Sequence, residues 1–446
     1  MKLKKTKNMK TIKSIFRIIP AIILLISFAV NATAQERKET IEKTYKLSST
    51  GNFTFDCYDT DLKVNTWQKN EVKLTGEIII TGGDKEDQDK LIEVFNNPEV
   101  SQSGNSLSIK TDMAKNTVMI GFGPKMTVTL VNGKKVKIDK YKVNYTLWIP
   151  ESVTFNLNSK YNDIDVAALT GKANFKLYDA DLTMLSFGKD SRFEMKYSSA
   201  SIGKGGDAIM NIYDCELEAI EMNKVEIESK YSEIEIGTIN TLDFNSYDDD
   251  IKIEKLNSLK TEAKYSDFKI RSNMANCIID FYDSDIDAMN IDKLVFNAKY
   301  SSLEGGDVKS VNISTLYDSD IKLGMVGEFV CNESKYDDIR ITSISKLVNM
   351  PLVYDTDISF GKALAGFESF TANFKYGSVK MYIDPSIEFS IKLDATYGSV
   401  DFPKDRIKVR EMNITESGKK YFEGQTKENP ACKIEIKSYD CTIGLN

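Results

Sequence analysis

Histidine does not occur anywhere in the 446 residues. That absence excludes His-based catalytic triads, His-ligated zinc and the commonest general base. Proline is scarce too, 8 in all, with none from Asn156 to Met350, so nothing in that interval would interrupt a ladder of strands. Cysteines number 6. Cys277 and Cys331 each stand shortly before a recurring tyrosine, but three repeat units apart. Strands stacked at about 4.8 Å would hold them too far apart to bridge. Most of the cysteines read as small apolar core residues, and Cys432 with Cys441 is the one pair read as able to form a disulfide. Basic excess is missing as well: 59 Lys and Arg face 66 Asp and Glu, a net charge of −7, the wrong sign for neutralising nucleic-acid phosphates.

The first 34 residues stand apart. A basic stretch, "MKLKKTKNMKTIKSIFR", leads into the apolar run "IIPAIILLISFAV" and the small-residue site Ala32-Thr33-Ala34. This is the pattern of a signal peptide with a mature chain starting at Gln35. The apolar run is short for a membrane span, no later segment approaches one, and no cysteine sits at the cleavage point to carry a lipid. The expectation is an exported protein of the periplasm, outer surface or extracellular space, with no transmembrane segment in the mature chain.

What the chain does have is a repeat. Tyr161, Tyr178, Tyr197, Tyr213, Tyr231, Tyr247, Tyr265, Tyr282, Tyr300, Tyr317, Tyr336 and Tyr354 recur at intervals of 16 to 19, followed by Tyr376 and Tyr397 at wider spacing. Two outliers, Tyr58 in "CYDTDLKV" and Tyr439 in "SYDCTIGL", carry the same signal near the ends. Up to Tyr354 two spellings alternate strictly, Lys-Tyr as in "KYSEIEI" and Tyr-Asp as in "SYDDDIKI". The runs between tyrosines alternate apolar and polar residues with period two, and no helical stripe competes. The fold class expected is all-β: a β-solenoid, or single-stranded β-helix, of about 17-residue coils in alternating pairs. A coil of about 35 residues with one corner type on each edge is the other geometry compatible with the pattern.

Side-chain alternation offers a reason for the two spellings. In the Lys-Tyr version apolar or small residues precede the tyrosine by four and two (Phe193 and Met195, Phe296 and Ala298), which sets the tyrosine in phase with the core and leaves a tight two-residue bend. In the Tyr-Asp version they precede it by three and one (Met210 and Ile212, Ile279 and Phe281), which puts the tyrosine in a wide four-residue bend. Interleaving Lys-bearing with Asp-bearing corners would then space like charges apart and fix register. The domain reading is residues 1–34 leader, 35–150 an N-terminal cap of strands with one helix around "DKEDQDKLIEVFNN", 151–402 solenoid repeats, and 403–446 an insertion and a closing coil.

The stretches "LKVNTWQKNEVKLTGEI", "YTLWIPESVTFNLNSKYNDIDV", "KYGSVKM" and "TYGSVDF" resemble the bacterial adhesin-like solenoid family related to head-GIN domain proteins of Bacteroidetes-like bacteria. The resemblance covers nearly all of the mature chain and implies an exported β-solenoid with no established active site. Most of that family's corner glycines are replaced here by Tyr and Asp.

For chemistry, the only constellation is the Asp pairs, such as Asp59 with Asp61, Asp283 with Asp285 and Asp318 with Asp320. They lack the glycine and the bidentate Glu of a calcium loop and read as solvated turns. No pair is singled out as a glycosidase's would be. Hence no catalytic, cofactor or metal residue is assigned, and no cofactor is expected. The candidate binding edge is Tyr178, Tyr213, Tyr247, Tyr282, Tyr317 and Tyr354, which would recur at about 9–10 Å, twice the strand spacing. That suits an adhesin-like protein holding a glycan, a cell-surface polymer or an envelope protein, with no nucleic acid. The alternative is a structural or envelope-stress-associated periplasmic scaffold without a ligand, and more remotely a polysaccharide-active enzyme.

Overall fold

The computed structural model describes residues 36–119 and 126–446; the export leader read from residues 1–34 lies outside the described residues. The described chain is almost wholly strand and forms a β-solenoid. In its middle, one coil is one run of extended chain between tyrosine corners: Glu216–Lys230, Glu233–Tyr247 and Asp250–Lys264 lie parallel and in register. Glu233, Asp250 and Asp267 stack in consecutive coils, an advance of 17 residues, so the coil is the short one of the two geometries. Along Glu216–Lys230 the in-out alternation slips at Ile220–Glu221 and at Asn223–Lys224. Together with the tyrosine bend, these slips give each coil three corners.

The core is a continuous stack of alternate residues from every coil, with Phe155, Phe175, Phe193, Phe244, Phe281, Phe296, Phe329 and Phe360 fully buried. Burying each such phenyl contributes on the order of 2–3 kcal/mol. Because the parallel register matches like positions in neighbouring coils, one sequence period sets one inward column.

Both ends depart from sequence order. At the N-terminal end β2 (Asn52–Tyr58) and β3 (Asp61–Trp67) pair in parallel with Thr154–Lys160 and Asp163–Val166. Tyr58 therefore begins the stack of corners, although about a hundred residues separate it from Tyr161. The intervening chain covers this coil. β4 (Glu71–Thr81) lies antiparallel between β1 (Glu36–Lys46) and β5 (Lys140–Pro150), and β5 pairs with β3. Helix α1 (Lys85–Asn96), capped by the Asp84 carboxylate, buries Leu91, Ile92, Val94 and Phe95.

At the C-terminal end the last coil does not close the stack. Cys432–Tyr439 and Thr442–Leu445 insert between the coil of Ser369–Ile383 and that of Phe389–Thr396 with Ser399–Asp401. The hairpin Lys408–Ile414 and Lys419–Gln425 then extends the sheet beyond Phe389–Thr396. Insertion gives both edges of the final coil a partner, whereas stacking at the end would leave one edge open.

The disulfide expectation is corrected: all six cysteines are free and buried. Cys432 opens the extended strand Cys432–Tyr439 and Cys441 lies two residues past its far end, so a strand of roughly 20 Å at about 3.3 Å per residue separates them, far beyond bridging distance.

Candidate functional site: the tyrosine ladder and its groove

The two spellings build one and the same corner. Lys160 pairs with Tyr178 and Tyr178 with Lys196, while Asp163 pairs with Asp181, so both versions turn through two residues and the tight and wide bends expected from sequence do not exist. In a Lys-Tyr coil the tyrosine itself takes the left-handed conformation, as at Tyr197 (φ 54), Tyr231 (φ 59) and Tyr265 (φ 59). In a Tyr-Asp coil the following aspartate takes it, as at Asp214 (φ 53), Asp248 (φ 58) and Asp283 (φ 51). A left-handed residue turns its side chain outward where simple alternation would aim it at the core. The Lys-Tyr tyrosines, expected in the core, are therefore surface residues: Tyr231 and Tyr265 are each 45% exposed.

The rings of both sets meet. From Tyr58 through Tyr161, Tyr178 and every repeat tyrosine to Tyr376, Tyr439 and Tyr397, sixteen rings form an unbroken ladder among the described residues. Each packs edge-to-face on the next, for example Tyr247 on Tyr265 at 5.4 Å and 79°, and Tyr300 on Tyr317 at 5.6 Å and 90°. The strict alternation explains this geometry, because shifting the tyrosine by one backbone position in every second coil sets adjacent rings perpendicular. Alternation holds in space even where the sequence breaks it. Lys-Tyr at Tyr376 is followed in the chain by Thr-Tyr at Tyr397, and the inserted Tyr-Asp corner at Tyr439 separates them.

Beneath the ladder lies a column of small polar residues that satisfies the corner backbone. Ser266 Oγ accepts from Asp249 N at 3.2 Å, and the amides of Ser266, Ser284 and Ser301 donate to the hydroxyls of Ser284, Ser301 and Ser319. In two coils this position is a buried carboxylate. Asp249 accepts from Ser229, Ser246 and the amides of Ser232 and Tyr247. Asp337 accepts from Ser334 and the amides of Ser319 and Lys335. Burial pushes both carboxyls up, Asp337 to about 6. They are unlike the other acids, but each is single and sealed in the core, which gives them no access to a substrate.

Just past the corner runs an acidic column: Asp163, Asp181, Ser199, Glu216, Glu233, Asp250, Asp267, Asp285, Ser302, Asp320 and Asp338 pair in consecutive coils. The expected spacing of like charges by interleaved lysines is thus corrected. The lysines stand on the other side of the corner and do not separate the acids. Burial raises the Asp267 carboxyl, and the flanking Asp285 and Asp250 add to it. No group of acidic side chains suited to hold a metal ion occurs among the described residues.

On the opposite flank Lys and Tyr alternate in one column, Lys196, Tyr213, Lys230, Tyr247, Lys264, Tyr282, and the ammonium groups of Lys230 and, further along, Lys299 and Lys335 lie over rings. Lys299 is 4.9 Å from the Tyr300 ring and 5.1 Å from that of Tyr317. Two residues before that column, Glu194, Asn211, Glu228, Asn245, Glu262 and Asp280 form a second exposed row. Between the rows lies an open groove of about 740 Å³, and a further groove of about 430 Å³ lined by Tyr58, Lys160 and Tyr178 adjoins it through Glu194 and Lys196. Of the six tyrosines expected at a binding edge, Tyr213, Tyr247 and Tyr282 line the larger groove, Tyr178 lines the adjoining one, and Tyr317 and Tyr354 continue the ladder beyond it. Sequence reasoning missed the Lys-Tyr rings between them. The signal was the preceding lysine, which already occupies the outward position, so the tyrosine had to flip or be buried.

No family model and no curated protein matches the chain. Among solved structures it is similar to a candidate cell adhesion protein from Clostridium sporogenes, at 8% identity over 91% of this chain and 99% of that one, TM-score 0.15. It is also similar to a candidate adhesin from Bacteroides fragilis, at 11% identity over 92% and 97%, TM-score 0.16. A third is a candidate lipid-binding protein from Parabacteroides distasonis, at 10% identity over 91% and 96%, TM-score 0.14.

Proposed function

We propose that the chain is an exported, non-catalytic, adhesin-like solenoid that holds a linear polymer, a glycan of the cell surface being the class that fits best, along the tyrosine ladder and the groove beside it. The observation that supports this reading is the energetic redundancy of the ladder. A bulky residue in the left-handed region costs about 1–2 kcal/mol, and each edge-to-face ring contact returns about 0.5–1.5 kcal/mol. A Lys-Tyr tyrosine with two neighbours therefore roughly breaks even. Glycine would turn the same corner without strain, as the fold's own needs would suggest. Eight left-handed tyrosines kept at no clear gain in stability point to a use outside the fold. Rings supply apolar faces for sugars, while Asn211, Asn245, Glu228 and Lys230 supply hydrogen bonds. The groove's mixed charges favour a neutral or zwitterionic chain over a polyanion. Many weak, equivalent contacts would then add by multivalency.

One observation favours the scaffold reading: the rings already satisfy one another. Binding to a polysaccharide panel and to whole cells, with the triple variant Tyr213→Ala, Tyr247→Ala, Tyr282→Ala as control, separates the two. Retention of a linear neutral glycan that the triple variant loses, with its circular dichroism intact, is the expected result. No retention on any polymer or cell surface would leave the scaffold.

A further inference from the structure

The two ends of the solenoid are finished differently. Helix α1 and the antiparallel strands cover the N-terminal end. At the other end, strand Lys408–Ile414 is, among the described residues, the outermost strand of its sheet, paired on one side only, with all seven residues exposed. Its register shows which way its side chains face. Met412 is opposite the buried Phe422, Val409 opposite the buried Gly424 and Ile414 opposite Lys420. Val409, Met412 and Ile414 thus lie on the core side of the sheet, yet they are 50%, 59% and 60% exposed. The facing sheet stops short: its last strand there is only Ser399–Asp401, and Phe402, 4.3 Å from Phe422, is the last ring beneath the overhang. The strand therefore extends the inner face past the end of the core, with a free edge of backbone groups beside it. An edge of this kind invites strand pairing.

We propose that this end is an interface between two copies of the chain, joined tail to tail about a twofold axis by antiparallel pairing of the Lys408–Ile414 strands. The strand's own sequence selects the occupant. A bulge between Val409 and Glu411 puts Val409 and Met412 on the same side despite their odd spacing. Antiparallel self-pairing can then set Val409 against Met412 of the second copy, core side to core side, and Arg410 against Glu411 of the second copy. Opposed apolar residues and opposed opposite charges are what stabilise cross-strand neighbours, and both recur twice by symmetry, as an isologous contact requires. Pairing would bury Val409 and Met412 of each copy against those of the other, and because the paired strands run in opposite directions the two ladders would fall on opposite edges of the joined sheet, each open to a polymer. The interface stands whether or not the ladder binds one.

Sedimentation of the full chain over a concentration series tests this. The expected result is a monomer–dimer equilibrium with no larger species. The double variant Val409→Lys with Met412→Lys should sediment as a monomer. Arg410→Glu alone and Glu411→Arg alone should each weaken association at least tenfold, while the two together restore it, because the reversed pair is again complementary. The reversals sit at exposed positions and keep the test decisive if the apolar variant folds poorly. A wild-type chain that stays monomeric when concentrated, an open series of larger species from head-to-tail stacking, or charge reversals without rescue would each overturn the proposal.

Discussion

Replacing Asp337 by Asn should stabilise the protein at neutral pH and do nothing in acid. Asp337 is 4% exposed, and its hydrogen-bond donors are neutral: the Ser334 hydroxyl at 2.6 Å and the amides of Lys335 at 2.7 Å and Ser319 at 2.9 Å. With no cation in that set, burial dominates and lifts the carboxyl from 3.8 to about 6. A folded-state value raised above the unfolded one means that this group's contribution to stability is complete below about 3.8 and is lost as pH rises through about 6. Two units at about 1.4 kcal/mol each give roughly 3 kcal/mol as the cost of keeping the carboxylate ionised in the fold at pH 7.5. The chain contains its own precedent for the replacement, since Asn162 occupies the same corner position, where its Nδ2 donates to Ser159 Oγ, the reverse of the bond that the Ser334 hydroxyl donates to Asp337. Urea unfolding of the two proteins, followed by circular dichroism from pH 4 to 7.5, should show an advantage for Asp337→Asn of up to roughly 3 kcal/mol at the upper end, shrinking to near zero at the lower. Because a stack of coils can open in parts, hydrogen exchange of the Ser319 and Lys335 amides should report the same trend locally. A difference that does not vary with pH, or a variant less stable at pH 7.5 than the parent, would refute the reasoning.

The two kinds of tyrosine should respond differently to removal. Tyr265→Gly loses two ring contacts but relieves a left-handed tyrosine, so its stability should stay within about 1 kcal/mol of the parent. Tyr247→Ala loses two contacts with no relief and should cost about 1–3 kcal/mol; equal losses in chemical denaturation would argue against the ladder's energetics. Deleting Ser266–Tyr300 removes two coils, joins Tyr265 to Ser301 and preserves alternation, so that protein should fold with only a share of its stability lost. Deleting Ser266–Asp283 removes a single coil in register but stacks Tyr265 directly on Tyr300 at equivalent backbone positions, and its thermal midpoint should fall below that of the shorter protein. A single-coil deletion as stable as the two-coil one would show that alternation is dispensable.

The sequence alone determined the class of fold and the inward set. Period-two patterning between tyrosines marks Phe193, Met195, Ile227 and Phe296 as core residues, and a period near 17 can be closed into parallel coils only by stacking like positions on like. Corner tyrosines and the absence of His-based chemistry were legible for the same reason: each is a property of composition or spacing. The tertiary structure decided what spacing cannot encode. A left-handed residue shifts the phase of alternation by one, so whether Tyr231 faced the core or the solvent depended on a backbone angle, and with it whether the chain carries half a row of rings or an unbroken ladder. Charge neighbours were likewise set across coils, which is why the acids past most corners stack in one column, interrupted only at Ser199 and Ser302 between Asp163 and Asp338, while the lysines stand on the opposite flank. The final coil chose its place by hydrogen bonding: between two coils its strands pair on both edges, and there its Tyr-Asp corner falls between the left-handed tyrosine corners of Tyr376 and Tyr397, completing in space an alternation that the order of residues along the chain had interrupted.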